Sequence, residues 1–146
     1  MGKYDFVEGV LGELGAEIAF DGVQIRPGRP LVFGRVAGRP FFGLPGNPLS
    51  TLVTFELFVR PALELAGGMS AARQPFTYAP LAEPYVQKPV ALTAFVPARL
   101  DDEGLHPLPY QGSGDLAAMG RADVLMVVAP GIARLEAGQF TALLPK

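Results

Sequence analysis

The stretch that most restricts how this chain can fold runs from Gly43 to Leu65, "GLPGNPLSTLVTFELFVRPALEL". Its first part packs two glycines, two prolines and an asparagine between apolar runs, which breaks an extended strand and starts a helix. Asn47 suits the N-cap, Pro48 suits the first helical position because its missing N–H needs no partner there, and Gly46 can adopt φ > 0. From Pro48 to about Leu65 the spacing predicts a helix that is apolar on most sides and therefore largely buried. Pro61 lies inside it and crowds the carbonyl of Leu57, so a kink is expected there. Gly67 and Gly68 end it.

The segments before this helix place it in an α/β setting. "YDFVEGVLGELG" carries Val7, Val10, Leu11 and Leu14 at helical spacing, with Asp5 as N-cap, Glu8 three residues on and Gly15 as stop. "AEIAF" and "GVQI" read as strands, "RPGRP" as a rigid turn, and "LVFGRV" and "RPFFGL" as a hairpin joined at "AGR". Near residue 68 the composition changes. "GGMSAARQPFTYAPLAEPYVQKP" is rich in Gly and Pro and reads as a linker. "VALTAFVPARL", "LHPLPY", "VLMVVAP" and "QFTALLP" follow as strands of a small antiparallel β-barrel or sandwich, with "DLAAMGRA" as a short helical turn. The expected organisation is an α/β part, 1–68, followed by an all-β part, 69–146. The α/β part has too few residues for a complete parallel sheet covered on both faces.

Composition excludes several chemistries. The 146 residues include no cysteine and one histidine, so disulfides, thiolate metal sites and multi-histidine metal sites are ruled out. Net charge is −2, and residues 1–72 and 73–146 each carry six basic and seven acidic groups. Neither nucleic acid nor an anionic membrane is an expected partner. No apolar leader opens the sequence and no apolar run is long enough to span a bilayer, so a cytoplasmic protein is expected.

Two rigid turns could hold an anion. In "PGNP" the amides of Leu49 and Ser50 lie at a helix N-terminus, and Ser50 adds a hydroxyl. The bland alternative is a well-capped helix. In "RPGRP", Arg26 and Arg29 flank a Pro-Gly turn and suit tetrahedral oxyanions, the alternative being two exposed arginines. Asp5 is a helix cap or, beside an anion site, a group for a metal ion or water. Ser113 lies in the polar glycine loop "QGSGDL", which could contact a ligand or simply cap a helical segment. "DDE" at 101–103 reads as a solvated hairpin turn and His106 as structural.

With these residues in view, the chain resembles the molybdopterin molybdenumtransferase family, also called MoeA and including the E domain of gephyrin. The resemblance is carried by "YDFVEGVLGELGAEIAF", "RPGRPLVFGR", "GLPGNPLSTLVTFELFVRPAL" and "QGSGDLAAMGRAD". It implies the C-terminal half of a three-layer α/β domain, followed by a β-barrel domain, at the end of a longer family chain. It implies insertion of molybdate into adenylylated molybdopterin with Mg2+, in a homodimer or together with an N-terminal half chain, and little activity for this portion alone. By resemblance Asp5, Arg26, Arg29 and Ser50 are the catalytic residues, with Asp5 also a metal ligand. Gly28, Pro30, Pro45, Gly46, Asn47, Pro48 and Ser113 line the substrate site. Arginines replace both lysines of the family's "KPGK" turn. Pro97 stands where many relatives have arginine, with Arg99 two residues on and on the same strand face. A gephyrin-type protein-binding module and a split-gene half are the alternative readings.

Overall fold

The structure is a computed structural model, and it describes residues 7–72, 76–88 and 91–146. Asp5 lies outside them. The order of elements is α/β first and β-rich second. Helix α1 spans Val7–Glu13 and strands β1–β4 span Glu17–Phe20, Ile25–Arg26, Val32–Val36 and Arg39–Gly43. Helix α2 spans Pro48–Thr54, a π-helical turn spans Phe55–Val59, and α3 spans Arg60–Ala66. Strands β5–β8 span Thr77–Pro80, Tyr85–Val86, Thr93–Asp101 and Gly104–Pro107. Helix α4 spans Leu116–Arg121, and β9–β11 span Val124–Val128, Arg134–Leu135 and Phe140–Pro145.

Helix α1 ends as its sequence requires. Gly15 has φ 66°. The amides of Gly15 and Ala16 bond the carbonyls of Gly12 and Leu11, which closes a Schellman motif. β1, β3 and β4 then form an antiparallel sheet in the order β1-β3-β4. Ala37 and Gly38 both have positive φ and make the tight turn of the β3–β4 hairpin. Phe20, Phe33 and Phe42 stack across the three strands with ring centroids 5.6 and 4.7 Å apart. Gly34 is obligatory there, because a Cβ would collide with the carbonyl oxygen of Glu17 and the ring of Phe41.

The long helix forms over the expected residues, but Pro61 is accommodated by a π turn. The amide of Arg60 reaches back five residues to the carbonyl of Phe55. A π turn immediately before a residue without an N–H spreads the lost bond over a wider ring of backbone. Uniform burial is not observed. Leu49, Ser50, Val53 and Thr54 of α2 are buried, whereas α3 has no buried residue and Leu63 is 59% exposed. The apolar stripe of α1 is likewise open, with Val7 57% and Leu14 61% exposed. Apolar stripes are buried only where another layer lies over them, and the described residues place none over α1 or α3.

The largest sheet runs β2-β7-β9-β11-β5, with β8 also paired to β7. All its ladders are antiparallel except β2–β7, which is parallel. "GVQI" therefore does not add a strand to the first sheet. Its last residue and Arg26 form β2 and pair with Thr93 and Ala94. The stretch expected to be a linker contains β5 and β6, whose short strands carry too little alternation to read. The sheet does not close as a continuous ladder. Its ends meet at one isolated bridge, Leu81 with Leu105, and the amide of Ala82 bonds the carbonyl of Leu105 at 3.0 Å.

Two apolar clusters sit on this sheet. One, including Ala94, Val96, Leu105, Met126 and Leu143, lies wholly within the β-rich part. The other joins Leu49 and Val53 of α2 to Phe95, Leu125 and Leu144 of the strands, with Ile25, Leu57 and Met119 packed alongside. Burying each such side chain contributes about 1.5–3 kcal/mol. This seam fixes the first part of the chain on the second. Gly104 (φ 126°) stands where the sheet ends meet, and a Cβ there would press into the carbonyl oxygen of Pro80. Gly104→Ala is expected to cost roughly 1–3 kcal/mol through the unfavourable φ and the displaced edge. A fall in the urea midpoint checks this, and an unchanged midpoint would contradict the described edge contact.

Candidate functional site

The two rigid turns singled out in the sequence converge on helix α2. Gly28 is buried with φ 111°, and a Cβ on it would lie 2.8 Å from Thr54 Cγ2 and 3.0 Å from Ile25 Cδ1. The "RPGRP" turn is thus pressed onto α2 one helical turn beyond Ser50, and only glycine permits that approach. The Arg26–Pro27 peptide is cis. Arg26, Arg29 and Pro30 are exposed, and neither guanidinium makes a hydrogen bond or ion pair among the described residues. The turn therefore presents two guanidiniums from a buried Pro-Gly base.

At the start of α2, Pro48 occupies the first turn as expected, and Asn47 holds the cap position with extended backbone (φ −76°, ψ 129°). The Asn47 side chain does not cap, however. Its amide Nδ2 donates to Ser113 Oγ at 3.1 Å, across 66 residues of sequence. Thr51 instead secures the loop, its hydroxyl donating to the carbonyl of Pro45 at 2.5 Å and contacting that of Asn47 at 3.1 Å. Thr54 Oγ1 donates to Ser50 O at 2.8 Å. Gly46 is exposed and does not take up positive φ. Ser50 is buried at 4% exposure, so its hydroxyl belongs to the floor of the region and not its rim.

The "QGSGDL" loop forms the other side. Asp115 Oδ1 accepts from the amide of Ala118 at 2.9 Å and its Oδ2 from that of Gln111 at 3.1 Å, which ties both ends of the loop to one carboxylate. These two amides, Ala118 first, and then the charge of Arg121 hold the Asp115 carboxyl below the ordinary aspartate range. A residue before the loop, Tyr110 packs with Tyr85 against the β-rich core. Burial raises the Tyr85 phenol above its ordinary value, Tyr110 adds to this, and the charge of Arg26 opposes it. The loop therefore runs from the neighbourhood of Arg26 to the start of α2.

Sequence reasoning did not single out Thr51, Thr54, Tyr85, Tyr110 or Arg121. The two threonines had a legible signal, since a hydroxyl three or four residues into a helix reaches back to carbonyls of the preceding turn. Nothing local marks the tyrosines. His106 pairs with Asp101 at 3.1 Å across the hairpin that the acidic turn closes. Pro97 is buried and paired with Leu125, while Arg99 is exposed and paired with His106.

Both parts of the chain match known families. Residues 1–65 match the family described as "Probable molybdopterin binding domain", and residues 78–145 match "MoeA C-terminal region (domain IV)". The molybdopterin molybdenumtransferase of Synechococcus elongatus is 38% identical over 141 residues, covering 94% of this chain and 34% of the relative. That of Haemophilus influenzae is 28% identical, covering 99% of this chain and 37% of the relative. The crystal structure of a molybdopterin biosynthesis MoeA protein from Pyrococcus horikosii superimposes with TM-score 0.78 at 29% identity, over 97% of this chain and 34% of that one. These likenesses place the chain among proteins that resemble MoeA. The chain belongs to the molybdopterin molybdenumtransferase (MoeA) family and corresponds to a C-terminal portion of it. It spans about a third or less of the length of the curated relatives it matches.

The lowered carboxyl has a consequence for stability. Asp115 contributes stability that is complete above the unfolded aspartate value and is lost as pH falls through its lower folded value. Unfolding curves between neutral and strongly acid pH are expected to show a smaller acid-side loss in Asp115→Asn than in the parent. Equal slopes would show that the Ala118 and Gln111 amides do not select the charged form.

Proposed function

We propose that this chain serves molybdenum cofactor biosynthesis, as the portion of a molybdopterin molybdenumtransferase that helps insert molybdate into adenylylated molybdopterin. The observation that carries the reading is the convergence of three loops. The paired guanidiniums of Arg26 and Arg29 stand on a buried turn packed against α2, and Asn47 at the start of that helix is bonded to Ser113. Guanidinium forks bind tetrahedral oxyanions through paired, charge-assisted hydrogen bonds and keep their charge throughout the accessible pH range. Arg26 and Arg29 are thereby assigned to molybdate, and Ser50 to the floor beneath it. Gly28 and Pro30 set the arginines. Pro45, Gly46, Asn47, Pro48 and Ser113 shape the side that meets the pterin.

The chemistry these residues can perform is binding, charge neutralisation and orientation. Two cations carried on a rigid turn lower the cost of bringing an oxyanion and a phosphorylated pterin together, because the backbone that presents them is already ordered. Magnesium belongs to the proposal through the family resemblance, with Asp5 as its ligand. Among the described residues no group of three His, Asp or Glu side chains can hold a cation.

The division into a pterin-binding part, 1–68, and a β-rich part, 69–146, is supported by the separate family matches and by the core cluster confined to the strands. The exposed apolar stripes of α1 and α3 favour completion of the first part by further protein, either a preceding half or a second copy in a homodimer. No described helix is long and apolar enough to cross a membrane, and the proposed setting is cytoplasmic.

Calorimetric titration with molybdate tests the reading. The parent protein is expected to bind, and Arg26→Ala/Arg29→Ala to lose about tenfold or more in affinity, since each lost charge-assisted pair is worth roughly 1.5–3 kcal/mol. Undiminished binding by the double variant would remove these arginines from the site.

A further inference from the structure

Beside the Asn47–Ser113 bond lies an open hollow of about 850 Å³, walled by the loop 111–117 and by Arg121. Two glycines border it, Gly112 and Gly114, and they differ from the glycines that the fold demands. At Gly28, Gly34 and Gly104 a Cβ would collide with neighbouring atoms. At Gly46, Gly112 and Gly114 a Cβ would meet nothing within 4 Å. Gly112 has φ 124°, whereas Gly46 and Gly114 are not in the left-handed region. Neither backbone conformation nor packing therefore explains glycine at 46 and 114. They flank the same hydrogen bond from opposite sides of the seam, and bare backbone there leaves room for something to approach closely.

The polar groups around this space define what could fill it. Arg121 is the single cation among the residues that wall it, is exposed, and makes no hydrogen bond among the described residues. Its charge acts on Asp115, but both Asp115 oxygens already accept backbone amides. The guanidinium fork is thus left with open donors. The Ser113 hydroxyl, which accepts from Asn47, retains its own proton to donate. Gln111 is exposed at the rim and adds an uncharged amide.

We infer that this hollow binds a phosphoryl group, with Arg121 as its cation, Ser113 as a neutral donor, and Gly114 as the clearance that admits it. The assignment rests on the functional reading above and refines it: Arg26 and Arg29 take molybdate, while Arg121 takes a phosphate of the second substrate. A nucleotide phosphate and a simple pyrophosphate share the required chemistry.

Titrations with pyrophosphate, AMP and molybdate separate the possibilities. In Arg121→Ala, affinity for pyrophosphate and AMP is expected to fall about tenfold while molybdate binding changes less than about twofold, with partial recovery in Arg121→Lys. Gly114→Ala is expected to keep the parent melting temperature within about 1 °C and yet weaken both phosphoryl probes. Tighter binding of AMP than of pyrophosphate identifies a nucleotide as the source, and the reverse order identifies a simple phosphate. Phosphoryl binding that is absent in the parent, or unchanged in Arg121→Ala, overturns the assignment. If molybdate still binds through Arg26 and Arg29 in that case, the broader reading survives. If the parent binds no molybdate either, both fail.

Discussion

The contact on which the rest of the structure depends is the apolar seam between helix α2 and the β-rich sheet. Leu49 and Val53 meet Phe95, Leu125 and Leu144 there, and all five are nearly excluded from solvent. Because Leu49 and Ser50 directly follow the "PGNP" loop, whatever holds Leu49 also holds the loop. The same strands carry β2 on their edge, which sets Arg26 and leads into the turn at Gly28. Gly28 then closes the circuit by packing against Thr54, a few residues along the same helix. Non-directional burial along the seam is thereby turned into a fixed separation between the two turns.

Rigid loops make this conversion efficient. The "PGNP" loop is tied by Thr51 to Pro45 and Asn47, and the "QGSG" loop by Asp115 to Gln111 and Ala118. Each loop therefore arrives at the seam already ordered, and a single bond between Asn47 and Ser113 is enough to register one against the other. The side chains left free, Arg26, Arg29 and Arg121, are the cations. In the proposed reading, the internally satisfied scaffold leaves these cations for an anion to neutralise.

Much of this was legible in the sequence, for local reasons. The helix start at Asn47-Pro48, the stops at Gly15 and Gly67-Gly68, the β3–β4 hairpin and the short helix after Asp115 all follow from capping and turn chemistry within a few residues. The first arginine turn and the "PGNP" loop could be recognised on the same basis. What was not legible depended on contacts distant in sequence. Asn47 is a good cap in isolation, and its side chain was taken by Ser113 instead. "GVQI" read as a strand of the α/β part, but its end pairs with Thr93 and Ala94 in the β-rich sheet. The apolar spacing of α1 and α3 promised burial, and spacing cannot say whether a covering layer is present. Pro61 announced a disturbance, whereas its form, a π turn ending at Val59, depended on how the helix packs on either side.

The central claim is that the two family segments fold as one unit through the α2 seam, and native-state hydrogen exchange tests it most directly. Protection of the amides of Val53 in α2 and of Leu125 and Met126 in β9 should be lost together, with one opening free energy and one denaturant dependence, because unseating the helix exposes the strands beneath it. Val53→Ala should lower all three in parallel. Exchange of Val53 at a markedly lower free energy than Leu125 and Met126, with the strands indifferent to Val53→Ala, would mean that the parts fold separately. The site could not then owe its geometry to the seam.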